Sequence, residues 1–166
     1  MAIRDSLLPE YDHELATTRR LLERVPDADL SWKPHERSMT LGELAGHIAN
    51  LPFWCRMTLE TTVLELDSLG DDVRLPPPVS REALLRDFDT KRDAARTALA
   101  ATSDSELLTP WTLKKGGHEL FTMPKISAIR TFVMNHLIHH RGQLSVYLRL
   151  RNVPVPAMYG PTADEQ

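Results

Sequence analysis

The stretch VMNHLIHHRGQLSVYL, residues 133–148, places three of the chain's seven histidines within five positions. Its neighbours have helical periodicity. At about 100° of rotation per residue, Ile126, Ile129, Val133, Leu137, Leu144 and Leu148 define one apolar stripe. His136 and His140 fall inside that stripe, one turn apart. His139, about 100° from His140, points to the edge of the face. Burying imidazole nitrogens without partners costs on the order of 1–3 kcal/mol each. The pair therefore either finds hydrogen-bond partners within the core or holds a metal ion through two imidazoles at i, i+4 spacing. The Glu of the His-Glu-x-x-His protease motif is missing, so zincin-type hydrolysis is not supported.

Three further segments share the period. The first spans about 2–24. The second opens after Ser38 or Thr40, where Thr40 followed by Glu43 reads as a capping box. It extends to about Leu66, with Pro52 kinking it or interrupting its hydrogen bonds. The third runs from Ser80 to Ala101 and carries alternating charges suited to a solvated face. The fourth runs from near Pro124, a residue suited to a first helical turn, to about Arg151. The connections are long. Within them, WTLKKGGHELFTM (111–123) reads as a small β-hairpin around Gly-Gly, and RLPPPV (74–79) as extended polyproline. The tail VPVPAMYGPTADEQ reads as irregular, lying over the bundle end near Tyr159. Four such helices joined by crossovers predict an all-α four-helix bundle, an architecture that builds metal sites between facing helices.

Composition narrows the function classes. The 166 residues are 42% hydrophobic and 26% charged, with a formal net charge of −3, which fits one globular domain over 1–166. The acidic balance and the lack of a basic patch argue against nucleic-acid binding. No apolar run approaches the roughly 20 residues of a membrane span, and the N-terminal residues lack the apolar stretch of a secretory signal. The one cysteine, Cys55, excludes an intramolecular disulfide and fits the reducing cytoplasm.

A metal site needs a third ligand. His47 borders the second helix's apolar stripe of Leu41, Leu44, Ile48, Leu51 and Cys55, and is the best candidate. His13, His35 and His118 stand in polar or loop surroundings. Cys55 lies two turns, roughly 12 Å, beyond His47 and reads as a small buried hydrophobe. Asn50 and Gln143, each about a turn from a ligand, are candidates for polar lining. Arg141 and Tyr147 read as snorkelling or packing, Glu43 as a capping residue, and Trp32, Trp54 and Trp111 as core anchors or pocket walls.

The segment LSWKPHERSMTLGELAGHIA (30–49), followed by NHLIHHRGQLSVYLR (135–149), resembles the DinB-like (damage-inducible) superfamily along nearly the whole chain. Its specific marks are the Trp-x-Pro segment, the lone histidine of the second helix and the His-x-x-x-His-Arg-Gly-Gln ending. The resemblance implies a four-helix bundle with crossover connections, often a homodimer, and a divalent metal held by His47, His136 and His140. His139 is not carried over, and Pro52 is unusual for the family. Imidazole accepts several transition metals, of which Zn or Ni is the expectation. Characterised relatives include metal-dependent thiol transferases and a thiol-dependent isomerase. The resemblance thus points to an enzyme adding a low-molecular-weight thiol to a small electrophile, with metal-assisted hydrolysis or a non-catalytic metal-binding stress-response role as alternatives.

Overall fold

The structure of the chain, a computed structural model, describes residues 2–73 and 76–165. Four long helical segments form the bundle: α1 (Ile3–Leu22), α2 (Leu41–Glu60), α3 (Arg81–Ala101), and a final segment built from α5 (Lys125–Ala128), a π turn (Ile129–Met134) and α6 (Asn135–Leu150). A one-turn helix, α4 (Asp104–Leu107), precedes the hairpin. Helix α3 packs on α1 and α2, and α6 closes the ring against α2 and α1. Sequence neighbours α1 and α2 therefore sit diagonally, as crossover connections require. Among the described residues, no helix is long and apolar enough to cross a membrane.

The helix starts follow local chemistry. Thr40 Oγ1 accepts from the Glu43 N–H at 3.1 Å, and the Glu43 carboxylate accepts from the Thr40 N–H at 2.6 Å. That reciprocal capping box fixes the frame in which α2 presents His47. Ser80 caps α3 through the Ala83 N–H at 3.1 Å. Helix α1 is capped from a distance: the Ile3 and Arg4 N–H groups donate to the Asp104 carboxylate at 2.8 and 3.1 Å. The apolar stripes predicted for the second and fourth helices are buried, Ile126 partly so.

Three expectations need correction. The second helix ends at Glu60, not near Leu66, because Thr61 is extended and Val63–Glu65 forms strand β1. Strand β1 pairs in parallel with β2 (Pro110–Lys115), which pairs antiparallel with β3 (His118–Pro124), so the hairpin belongs to a three-stranded sheet. The β-branched run Thr61-Thr62-Val63 favours this exit. Pro52 lies inside α2 as expected: the helix continues across it, without the N–H that would have bonded the Ile48 carbonyl. The fourth segment is not uniformly α-helical: the Asn135 N–H bonds the Arg130 carbonyl, five residues back, across the π turn.

The hairpin turn needs both its glycines, since Gly116 and Gly117 have φ of 58° and 77°, a region side chains disfavour. Their N–H groups donate to Asp67 and Glu65 at 2.9 and 3.0 Å, which ties the turn to the segment after β1. Of RLPPPV, Arg74 and Leu75 lie outside the described residues, and Pro76 to Pro78 belong to no helix or strand. The irregular tail returns along α1: Glu165 pairs with Arg20 and Arg24, and Asp164 with Arg149.

Candidate metal centre

The stripes of α2 and α6 face each other and bring His47, His136 and His140 together. One nitrogen from each lies within 4.8 Å of the other two. His47 Nε2 is 3.3 Å from His136 Nε2, which is 2.8 Å from His140 Nε2. The rings meet edge-on or tilted, with centroids 4.5–5.0 Å apart. His139 is exposed at the rim, and His13, His35 and His118 are exposed elsewhere.

The hydrogen bonds behind the rings assign their tautomers. His136 Nδ1 is 3.3 Å from the Phe132 carbonyl oxygen, which only accepts, so Nδ1 carries the proton. His140 Nδ1 is 2.7 Å from the Gln143 side-chain oxygen and donates in the same way. In neutral rings both Nε2 atoms are then bare lone pairs, and at 2.8 Å they repel unless a proton or a cation lies between them. Burial, followed by the nearby His140 and His136, lowers the His47 pKa from its ordinary value to about 4. Burial also lowers that of His140, against the raising effect of Gln143. Burial thus favours the neutral form of His47 and His140, the form that ligates a metal. With M–N bonds of about 2.0–2.1 Å, ligand nitrogens stand roughly 2.9–3.4 Å apart. The His47–His136 and His136–His140 spacings are close to this, and the donor set fits a divalent transition ion with coordination positions left open.

One side of the cluster opens into a cavity of about 310 Å³ whose wall includes His47 and His136. Asn50, Trp54 and Thr58 from α2, Trp111, Leu113 and Phe121 from the sheet, and Phe132 from the π turn surround it. Phe121 and Phe132 stack in parallel, centroids 4.6 Å apart and planes 14° apart. Trp54 and Trp111 are therefore pocket walls. Trp32 instead packs edge-on against Tyr147 at 5.8 Å, outside this cavity. Asn50 is buried on the wall, whereas Gln143 acts behind the site by holding His140.

Leu113 and Phe121 of the sheet and Phe132 of the π turn were not singled out from the sequence, whereas Trp111 was. The available signal was the hairpin's aromatic and β-prone composition, but its docking on the histidine cluster depends on the pairing with β1. Arg141 is likewise not a snorkelling residue. It is buried, paired with Glu14 at 2.7 Å, donates to the Glu14 carbonyl at 3.1 Å, and bonds the Tyr159 hydroxyl. Cys55 is buried and its pKa is raised by burial to about 12, so its thiol stays protonated and takes no part in the cluster.

Relatives with known sequence or structure share this arrangement's scaffold. The uncharacterized protein YrdA of Bacillus subtilis is 25% identical over 161 residues, covering 97% of this chain and 90% of that protein. A DinB-like protein from Bacillus cereus superposes with a TM-score of 0.75 at 25% identity, over 95% of this chain and 98% of that one. A DinB-like protein from Bacillus subtilis, YjoA, gives a TM-score of 0.70 at 19% identity, covering 94% and 99%. The sequence model of the DinB superfamily matches residues 10–144, a span that includes His47, His136 and His140, and the chain belongs to that superfamily.

Proposed function

We propose that this protein is a divalent-metal-dependent enzyme that transfers a low-molecular-weight thiol to a small electrophile, with His47, His136 and His140 as the ligands of Zn or Ni. The observation that carries the metal is the 2.8 Å approach of two Nε2 atoms whose partners leave both without a proton. When bound, the ion supplies Lewis acidity and favours the thiolate of a cosubstrate over its thiol. The chain's own residues do the rest. Gln143 and the Phe132 carbonyl hold the imidazoles in the ligating tautomer. The aromatic wall keeps water from the reacting sulfur. Asn50 offers a polar side chain on the wall. In the transfer, the cosubstrate's S–H proton passes to solvent, sulfur forms the new C–S bond, and the leaving group departs with the electrons of the broken bond.

Hydrolysis by bound water fits less well, because among the described residues lining the cavity none is an Asp or Glu able to serve as general base. A purely structural ion is also disfavoured, since structural zinc sites usually close with four protein ligands and three groups converge here. The test is elemental analysis of protein loaded with Zn or Ni, beside thiol consumption across an electrophile panel. His47→Ala and His136→Ala should drop bound metal well below one equivalent and abolish thiol consumption. Full metal retention in both variants would sink the site, and turnover without added thiol would move the reaction to hydrolysis.

A further inference from the structure

The cavity beside the histidines has a composition that selects its occupant. Among the described residues, its lining contains no Asp, Glu, Lys or Arg. Two of the polar groups on the wall are committed to neighbours. The Trp111 indole N–H donates to Thr61 Oγ1 at 3.0 Å, and the Thr58 hydroxyl donates to the Trp54 carbonyl at 2.9 Å. What remains toward the space is mostly ring face and aliphatic carbon, with His47, His136 and the Asn50 amide as the other polar groups of the lining. Away from the histidine end, a charged group would lose its hydration without gaining a counter-ion, a large penalty. A planar apolar body would instead extend the parallel Phe121–Phe132 stack, with offset ring packing as the gain. The volume of about 310 Å³ falls in the range of small-molecule pockets.

We infer that this cavity binds the electrophile, and that the electrophile is a neutral, largely apolar and planar molecule with its reacting carbon turned toward the histidines. The reacting end rests on the transferase reading above; the apolar body does not. It follows that the charged groups of a thiol cosubstrate stay outside the cavity, with only the sulfur approaching the cluster.

The test uses a pair of fluorescent probes with one ring skeleton: neutral N-phenyl-1-naphthylamine and its sulfonated counterpart 8-anilinonaphthalene-1-sulfonate. Titrated into the EDTA-treated full chain, the neutral probe should bind at one site, receive energy from Trp54 and Trp111, and resist displacement by the sulfonate. The sulfonate should bind that site at least tenfold more weakly. Phe132, already 40% exposed, tolerates replacement, so Phe132→Asp should weaken the neutral probe at least tenfold while circular dichroism stays unchanged. Leu113→Asp, on β2 of the same lining, should do the same. Equal affinity for both probes, or indifference to both substitutions, would overturn the inference. The two readings fail separately. Probe binding without any thiol conjugation supports the cavity and defeats the transferase. Conjugation that treats neutral and sulfonated electrophiles alike defeats the cavity assignment and leaves the transferase standing.

Discussion

His140 and Arg141 are consecutive residues of α6, yet they enter polar clusters of opposite design. On the Arg141 side the partners are complete. The guanidinium meets the Glu14 carboxylate and carbonyl, Thr18 Oγ1 at 3.3 Å and the Tyr159 hydroxyl, which itself donates to Glu14 at 2.8 Å. Charge is balanced and the hydroxyl bridges the pair. On the His140 side, three imidazoles aim nitrogens at one another with no group of opposite sign between them. The first cluster is closed and pins α6 to α1 and to the C-terminal tail. Among the described residues, the second holds no group of opposite charge, and the proposed metal ion is what would complete it. Two polar groups at adjacent positions, one half-buried and one buried, thus face different partners, and those partners tell them apart.

The sharpest way to break that comparison is to remove Arg141. Arg141→Ala leaves Glu14 buried without its counter-charge, and a broken buried pair costs about 3–5 kcal/mol. Urea denaturation should show a loss of that size in the EDTA-treated protein. Zinc affinity of the fraction that remains folded should change little, because Arg141 touches none of the three imidazoles. A zinc affinity that falls as steeply as the stability would mean that the two clusters are one unit.

A smaller effect is expected at Gln143. Gln143→Ala removes the acceptor that holds His140 Nδ1–H, and loss of such an outer partner weakens metal binding by about 10–100-fold. Competition against a chromophoric chelator reads this directly, and Gln143→Glu should restore most of the affinity by accepting the same hydrogen bond. Unchanged affinity in the alanine variant would remove Gln143 from the site.

Legibility in the sequence followed the range of the interactions. The helices were readable because their apolar period, Thr40–Glu43 box and Ser80 cap are local. The histidine trio was readable because His136 and His140 sit four residues apart on a buried stripe, and His47 borders the stripe that faces them. Strand β1 was not readable, since Val63–Glu65 becomes a strand only by pairing with residues near position 113. The cap on α1 was hidden for the same reason: its acceptor is Asp104, about a hundred residues away. Nor does any periodicity announce the π turn, which carries Phe132 into the cavity wall and places a carbonyl behind His136. The role of Arg141 depended on two distant elements, α1 and the tail. Its position on a helix of known period could not supply them.

The smallest predicted effect separates the clusters by proton binding. In the EDTA-treated protein the His47 pKa is lowered to about 4 by burial and by the other two imidazoles, against about 6.5 in the unfolded chain. Above pH 6.5 neither state protonates His47, and the residue contributes no pH dependence. Between 6.5 and 4 the unfolded state binds the proton and the folded state does not, so stability falls as pH falls. The slope from one such group is at most about 1.4 kcal/mol per pH unit, and His140, shifted in the same direction, adds to it. Urea midpoints measured at pH 7.5, 6.5, 5.5 and 4.5 should be flat across the first pair and decline across the rest. His47→Gln cannot take up that proton, so its decline should be shallower, with the two curves converging in slope above pH 6.5. Parallel curves throughout would mean that His47 is as easily protonated folded as unfolded, and the cluster would then need no cation to relieve it.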